Sequence, residues 1–338
     1  MKSILRLVGF TVLVTVFLTA GLSPAGAAAK PYYEGKVLTI IVGYAPGGGY
    51  DRMARILSKH LPRFIPGKPA VLVQNMPGAS SMIAANYLYN MAKPNGLTIG
   101  TFNRYVTLAQ MLKLDGVRFD LAKFAWVGSA SVEAAVFTVR SDLPYRTFED
   151  LKRSKEPLYL GNTGEIDTGS QFAPLLKEFM GTNVKFVTYP QTAEIVLALE
   201  RKEVGGYGFT YTTAKPFIDR GLIRPLIRGP ISAPGIENLP VNVDLAANKQ
   251  VKTIISILAG PDRLGRPYVA PPKTPENVMT ILREAFSKLT KDPQALAEAA
   301  KLKMELEYTT APETLKLIGQ ILNQPPEIVS EVGKMGKF

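Results

Sequence analysis

The chain has 338 residues, no cysteine, one histidine and a formal net charge of +12. Without cysteine it can form no disulfide, no thiolate nucleophile and no thiolate-bound metal site. Its basic residues are scattered, with no run longer than a pair such as Lys152-Arg153 and no basic stripe alternating with aromatic residues, which argues against nucleic-acid binding. Scattered charge of this kind is typical of a solvated surface, and anionic small molecules or surfaces stay open as partners.

The first 29 residues have the organisation of a cleavable signal peptide. Lys2 and Arg6 form a positive start, residues 7–20 are apolar, and small residues allow cleavage near Ala27 or Ala29. The apolar stretch is shorter than the roughly 20 residues of a membrane span, and an uncleaved anchor is the alternative. Loss of the two basic residues lowers the net charge from +12 to +10, because no acidic residue precedes Glu34. We expect the mature protein to be soluble and to lie outside the cytoplasm, in the periplasm.

From Val37 onward, short apolar runs rich in β-branched residues alternate with longer segments of helical period. This alternation predicts parallel strands covered by helices, which is an α/β fold. Capping sequences at Thr147 and Thr310, and Pro275 after Thr274, indicate helix starts, so the last sixty-odd residues are predicted to be mainly helical. The predicted strands are Val37–Gly43, Ala70–Gln74, Leu97–Phe102, Ala134–Arg140, Pro157–Gly161, Val184–Tyr189, Val204–Phe209, Leu222–Arg228 and Ile254–Ala259.

Two breaks divide these elements. One lies near residues 128–131, and the other is the proline- and glycine-rich segment 229–235. A chain that leaves one lobe at the first break and returns at the second forms lobe 1 from residues 30–130 plus 233–338, and lobe 2 from residues 131–232. Each lobe is expected to be a mainly parallel sheet flanked by helices, with a ligand cleft between the lobes that closes by hinge bending. A single larger sheet is the alternative.

The first strand ends in the glycine-rich segment Tyr44-Ala-Pro-Gly-Gly-Gly-Tyr-Asp51, which leads into a predicted helix over 50–60. In open α/β sheets, ligands bind where strands end and helices begin. Gly47, Gly48 and Gly49 allow close approach to backbone N–H groups, and the helix start adds unpaired donors and partial positive charge. A carboxylate suits such a site. Because a carboxylate in the first turn would repel an anion, we assign Asp51 to orienting the loop or to contacting a cationic or hydroxyl group of the ligand.

The second strand ends in a similar way, with Gly78, Ala79, Ser80 and Ser81 before another helix. Two such corners on neighbouring strands are predicted to donate hydrogen bonds to the two oxygens of one carboxylate. Neither corner contains the phosphate-loop sequence G-x-x-x-x-G-K-[ST] or a G-x-G-x-x-G turn.

Further candidate residues follow other strands. Arg104 offers a guanidinium that can pair bidentately with a carboxylate, and several polar or aromatic side chains follow strands of lobe 2. The distal part of the ligand is assigned to Asn103, Arg104, Thr163, Thr168, Ser170 and Gln191, and the walls to Tyr44, Tyr50, Tyr189 and Tyr207.

The order of these segments resembles the Bug-type (TctC-like) receptors of tripartite tricarboxylate transporters. The resemblance runs from residues 37–55 through 71–80, 93–98, 188–194 and 199–204 to 267–272 and the helical tail. It implies a two-lobed periplasmic solute-binding protein of type II topology that passes a small carboxylated solute to a membrane permease. It also implies that the proximal carboxylate sits on Gly47–Gly49 and Gly78–Ser80. The chain departs from the family pattern at Pro190-Gln191 and Gly205-Gly206, in the lobe that contacts the far end of the ligand.

The leading hypothesis is therefore reversible capture of a mono- or dicarboxylate by a monomer, with no cofactor and no metal. An exported enzyme on the same lobes is one alternative, with Asp51, Glu165 and Asp167 as candidate acid–base groups. A ligand-sensing subunit of a signalling system is another. The sequence contains no G-x-S-x-G nucleophile elbow for which His60, the one histidine, would act as the base. We therefore interpret His60 as a surface helix residue.

Overall fold

The structure, a computed structural model, describes residues 30–164 and 166–335. The predicted signal peptide, residues 1–29, lies outside the described residues. The strands are β1 (Val37–Val42), β2 (Ala70–Asn75), β3 (Thr98–Thr101), β4 (Ala125–Ser129), β5 (Ala135–Arg140), β6 (Leu158–Asn162), β7 (Val184–Thr188), β8 (Gly206–Thr210), β9 (Ile223–Arg228), β10 (Pro267–Ala270) and β11 (Thr309–Thr310). The helices are α1 (Gly49–His60), α2 (Met82–Asn90), α3 (Val106–Met111), α4 (Phe148–Arg153), α5 (Ala173–Met180), α6 (Thr192–Glu200), α7 (Tyr211–Asp219), α8 (Asn242–Leu245), α9 (Lys249–Ala259), α10 (Glu276–Leu289), α11 (Pro293–Lys301), α12 (Ala311–Leu322) and α13 (Pro326–Met335).

The strands form two separate sheets, as the two-lobed prediction requires. The first has the order β11-β4-β10-β3-β1-β2, and the second has the order β7-β6-β8-β5-β9. In the first sheet β10 and β11 run against the other four strands, and in the second sheet β5 runs against the other four. Most strands of each sheet therefore point the same way, and their carboxyl ends meet along one edge.

Helices cover both faces of each sheet. Apolar side chains of α1 and α10 pack on one face of the first sheet, and those of α2, α3 and α12 pack on the other. The second sheet is enclosed in the same manner, by α4, α5 and α9 on one face and by α6 and α7 on the other. Each lobe thus has three layers with apolar cores on both sides of its sheet.

Two crossover segments join the sheets, one between β4 and β5 and the other just before β10. They lie side by side, because the amide of Ala130 donates to the carbonyl of Arg266 at 3.1 Å and the amide of Glu133 donates to the carbonyl of Asp262 at 3.2 Å. The contact is so close that a Cβ on Gly265, which has φ of +53°, would lie 1.6 Å from the carbonyl oxygen of Ser131. Glycine is therefore needed at this position.

The predicted return to lobe 1 at residue 233 stays a prediction. Helix α9 contributes Val251 and Ile255 to the core of the second sheet, and Ile254 and Leu258 to a core of the first. The helix therefore packs against both lobes before the chain re-enters the first sheet at β10.

Several predicted elements differ from the structure. Residues 254–259 are part of helix α9 rather than a strand, because their apolar side chains face cores on two sides and imitate a buried strand. The short strands β4, β10 and β11 were not predicted. The capping boxes at Thr147 and Thr310 are confirmed, whereas α10 begins at Glu276, one residue after the predicted Pro275.

The interpretation of His60 as a surface residue is wrong. Its side chain is buried because α11 packs across α1, which brings Glu298 Oε2 to 2.7 Å from His60 Nε2. Arg63 Nη2 lies 2.7 Å from the other ring nitrogen. His60 thus belongs to a polar contact between helices.

Within the described residues, no helix has both the length and the apolar character needed to cross a membrane.

Candidate functional site

A cavity of about 110 Å³ lies between the two lobes, where the carboxyl ends of their strands face each other. Lobe 1 contributes the β1–α1 corner and the segment after β3, and lobe 2 contributes the loop after β6 and the starts of α6 and α7. The lining residues are Tyr44, Ala45, Pro46, Gly48, Gly49, Tyr50, Asn103, Arg104, Thr163, Asp167, Thr168, Gln191, Thr192, Ala193, Tyr207, Phe209, Thr210, Thr213 and Arg266.

Helix α1 points its amino end into this cavity. Gly48 is the N-cap in an extended conformation, and no side chain of the described residues caps the helix. The first amides of the helix therefore have no capping partner, and together they carry a partial positive charge. This arrangement is suited to an anion.

The hydrogen bonds of Asp51 stabilise the β1–α1 corner. Its Oδ2 accepts from the amide of Gly47 at 2.8 Å and from Arg55 at 2.9 Å, while its Oδ1 accepts from Asn75 at 2.9 Å. Burial favours the protonated form, but these hydrogen bonds outweigh it, so the pKa of Asp51 lies below its usual value. The amide of Gly47 is therefore already hydrogen-bonded within the loop, and its contact with a ligand stays a prediction.

Position 49 has to be glycine because the side chain of Arg266 occupies the space of a Cβ atom. A Cβ on Gly49 would lie 2.4 Å from Nη1 of Arg266, so the guanidinium rests directly on the backbone at the start of α1. The same guanidinium lies over the ring of Tyr50, 5.1 Å from its centroid. Tyr50 in turn stacks on Tyr44, with ring centroids 4.7 Å apart. Burial, and then the nearby Tyr50, raises the pKa of Tyr44 well above its usual value, so its hydroxyl keeps its proton at neutral pH.

Arg266 is held by groups of the lobe junction. Its Nε donates to Glu133 Oε1 at 2.6 Å and its Nη2 donates to Thr212 at 3.1 Å. Glu133 also accepts from Ser131 and Thr212. Both charged side chains are only 2 % exposed, and Nη1 of Arg266 donates to no atom of the described residues.

Arg104 is held in a second buried network. Its Nε and Nη2 donate to Asp262 Oδ1 at 3.1 and 2.8 Å, and Tyr105 donates to the same oxygen at 2.6 Å. Gln171 of lobe 2 donates to the other oxygen of Asp262 at 2.7 Å. Nη1 of Arg104 has no hydrogen-bond partner within the described part of the chain. Two buried guanidinium groups thus line the cavity, and each keeps one nitrogen without a partner among the described residues.

Lobe 2 provides a different wall. Asp167 accepts at Oδ2 from the amide of Thr163 and at Oδ1 from the amides of Gly169 and Ser170, at 2.8, 2.7 and 3.2 Å. Burial raises the pKa of the Asp167 carboxyl to about 6, although these amide hydrogen bonds act to lower it. Thr168, Thr192 and Thr213 add hydroxyl groups to the same cavity.

The Gly78–Ser81 corner lines a neighbouring cavity of about 260 Å³ rather than the first. Ala79, Ser80 and Ser81 all have left-handed backbone conformations, with φ of 45°, 50° and 74°, which are costly for residues with a Cβ. Side chains hold this strained turn: Ser81 donates to the carbonyl of Gly43 at 2.8 Å, and Ser80 donates across the lobes to the carbonyl of Thr163 at 3.2 Å. The two cavities share Tyr44, Ala45, Thr163 and Gln191.

The structure therefore gathers part of the predicted set around one cavity. Ten of the predicted residues line it: Tyr44, Gly48, Gly49, Tyr50, Asn103, Arg104, Thr163, Thr168, Gln191 and Tyr207. The others lie elsewhere: Gly47 and Asp51 in the supporting loop, Gly78, Ala79, Ser80 and Ser81 at the neighbouring corner, Ser170 in the cap beside Asp167, and Tyr189 on a wider groove. Whether each contacts a ligand stays a prediction.

Arg266 is the main residue that the sequence reasoning missed. It stands just before β10, whose four residues gave no recognisable strand pattern, and only the pairing of β10 between β3 and β4 brings it to the cavity. The sequence predicts Asp167 only as an acid of an enzymatic site, not as part of the cavity wall. Glu165, another of those acids, lies outside the described residues. Across residues 30–164 and 166–335, no group of three or more His, Asp or Glu side chains is arranged to hold a metal ion.

Two α/β lobes with a cavity between facing strand ends are the architecture of two-lobed solute-binding proteins, and comparison with known proteins agrees. The family model of the tripartite tricarboxylate transporter family receptor, TctC, matches residues 53–334. The chain therefore belongs to this receptor family.

Two distant relatives match along nearly the whole chain. A UPF0065 protein of Bordetella pertussis is 25 % identical over 96 % of this chain and 98 % of its own length. The solved structure of the periplasmic binding protein BugD has a TM-score of 0.73 at 20 % identity, covering 90 % of this chain and 99 % of that one.

Two proteins of Rhodopseudomonas palustris have the same fold. Rpa4515 with adipate has a TM-score of 0.72 at 18 % identity, over 89 % of this chain and 98 % of its own. MatC with bound malate has a TM-score of 0.67 at 16 % identity, over 89 % and 99 %.

Proposed function

We propose that this protein is exported to the periplasm, captures a small carboxylated solute between its lobes as a monomer, and delivers that solute to the permease of a tripartite tricarboxylate transporter. The family supports the role of receptor, and the malate and adipate bound by the two R. palustris proteins support a carboxylated ligand.

One observation carries the proposal. The uncapped start of α1 and two buried guanidinium groups converge on a single cavity whose opposite wall comes from the other lobe. Oriented amides and cations in a site shielded from water attract an anion more strongly than the same groups on the surface. A ligand held by both lobes would favour the closed form and would be released when the lobes separate.

We further propose that the bound solute leaves chemically unchanged. The two candidate acids among the described residues are engaged in the fold: Asp51 binds the amide of Gly47 and the guanidinium of Arg55, and Asp167 binds three backbone amides of its own loop. These roles support positioning of the corners rather than proton transfer to a ligand.

The test is ligand-dependent thermal stability of the mature protein purified from the periplasmic fraction. Malate, adipate and other small carboxylates are compared with their diamides, which match them in size but carry no charge. A ligand that binds the folded protein alone stabilises it by about 2.7 kcal/mol at 100 times its dissociation constant. We expect a clear rise in melting temperature with at least one carboxylate, no rise with its diamide, and recovery of the carboxylate unchanged by mass spectrometry. A broad anion panel without any rise, or conversion of the bound compound, would contradict the proposal.

A further inference from the structure

Building on the proposed function, we infer that the cavity selects a monocarboxylate with a neutral hydrogen-bonding far end, rather than a dicarboxylate. The single carboxylate sits on Arg266, Arg104 and the start of α1, and the far end faces the hydroxyl-rich wall of lobe 2.

The two ends of the cavity differ in charge. Among the described residues that line it, the cationic side chains are Arg104 and Arg266, and both stand on the side of α1 and the lobe junction. Each is 2 % exposed, and each keeps Nη1 without a partner in the described chain. Neither Nη1 is among the fully enclosed donors that lack a partner, so both nitrogens are open to the cavity that their residues line. A carboxylate at this end can accept charge-assisted hydrogen bonds from them.

The wall of lobe 2 has the opposite character. Among the described residues of this wall, the charged lining residue is Asp167, a carboxylate that its own loop holds in place. A second ligand carboxylate at this wall would face a like charge in a site with little water, which is unfavourable.

The start of α6 lies at the same wall and is the group that would most favour a second anion. Gln191 is its N-cap, and its side chain donates to Glu194 Oε1 at 3.3 Å rather than capping a backbone amide of the helix. However, Glu194 stands in the first turn of α6, where its negative charge already offsets the partial positive charge of the helix start. The hydroxyl groups of Thr168, Thr192 and Thr213 are suited to a ligand hydroxyl or amide.

The experiment measures dissociation constants by calorimetry for compounds matched in length. Succinate is compared with 4-hydroxybutyrate and 1,4-butanediol, and adipate is compared with 6-hydroxyhexanoate and 1,6-hexanediol. We expect the better hydroxy acid to bind at least about tenfold more tightly than its diacid, and the diols not to bind. A diacid that binds as tightly as its hydroxy acid overturns this inference while the proposed function stands. If none of these four acids binds, this inference is overturned, whereas the proposed function is overturned only if the broad anion panel also gives no rise in melting temperature.

Two variants locate the effect, each with a matched control. Asp167→Asn is expected to lower the ratio of the two dissociation constants, diacid over hydroxy acid, by about tenfold. Its control is Asp292→Asn, at the N-cap of α11 and outside the cavity lining, which is expected to leave this ratio unchanged. Arg266→Lys keeps a positive charge near Glu133 but replaces the three-nitrogen guanidinium by a single ammonium, so Nη1 is lost. We expect it to weaken the binding of the hydroxy acid and of the diacid by the same factor. Its control is Arg263→Lys, at an exposed arginine nearby. An unchanged preference in Asp167→Asn would overturn the assignment of the far end. The comparison of ligands on the unaltered protein remains decisive if a variant fails to fold.

Discussion

At Gly49, the absence of a side chain leaves the space that the guanidinium group of Arg266 occupies. An alanine at this position would place its Cβ 2.4 Å from Nη1 and 2.9 Å from Cζ of that arginine, which the partners Glu133 and Thr212 hold in place. We predict that Gly49→Ala displaces the guanidinium and lowers carboxylate affinity by at least about tenfold, as measured by calorimetry. Alanine favours the helix by up to about 1 kcal/mol, so the variant should remain folded.

Gly319 is the matched control, because a Cβ there would meet only Asn323 Nδ2 at 3.9 Å. Gly319→Ala should gain helix stability without a change in affinity. Equal affinity in Gly49→Ala and the unaltered protein would show that the position of Arg266 does not matter for binding.

Asp167 makes the free energy of unfolding depend on pH. Its pKa of about 6 lies above the usual 3.8, so the folded protein binds more protons than the unfolded chain between these values. Since stability falls with rising pH wherever the folded state holds more protons, this residue destabilises the protein as pH rises from about 4 to about 6, by at most about 3 kcal/mol.

We predict that Asp167→Asn makes the free energy of unfolding, measured by urea titration, depend less steeply on pH in this window. Asparagine can still cap the turn by accepting from Gly169 and Ser170, so the slope, rather than the absolute stability, is the quantity to compare. Identical slopes for the two proteins would mean that the Asp167 carboxyl titrates near its usual value.

At the scale of elements, the sequence predicted most of what local patterns encode. Strands β1, β2 and β3 and the helix after the first glycine corner follow from apolar runs and turn residues that are contiguous in the chain. The segment 254–259 shows the limit of such patterns, since a helix with apolar side chains on two faces cannot be distinguished from a buried strand over six residues.

The candidate site was predicted less completely, for a similar reason. Its β1–α1 corner is local, and its glycines mark it in the sequence. Arg266 reaches the corner only through the antiparallel insertion of β10 into the first sheet, and Glu133 reaches Arg266 through the crossover between the lobes. Side chains brought together by long-range pairing leave no short motif, so the guanidinium that rests on Gly49 could not be predicted.

At the scale of the whole molecule, the anion site and the lobe junction share the same side chains. Asp262, which holds Arg104, also accepts from Gln171 of lobe 2, and Thr212 of α7 contacts both Arg266 and Glu133. A ligand bound to the two arginines would therefore act directly on the groups that join the lobes, which couples binding to closure. Ser80 adds a separate contact between lobes through the carbonyl of Thr163.

The central claim is that a carboxylate is held between the lobes by the start of α1 and Arg266. The most direct measurement is a crystal structure of the mature protein with the carboxylate that stabilises it best. We predict ligand carboxylate oxygens within hydrogen-bond distance of the Gly48 to Tyr50 amides and of Nη1 of Arg266, with side chains of both lobes enclosing the rest of the molecule. A carboxylate bound at the Gly78–Ser81 corner with both arginines uncontacted, or bound outside the cleft, would contradict the account.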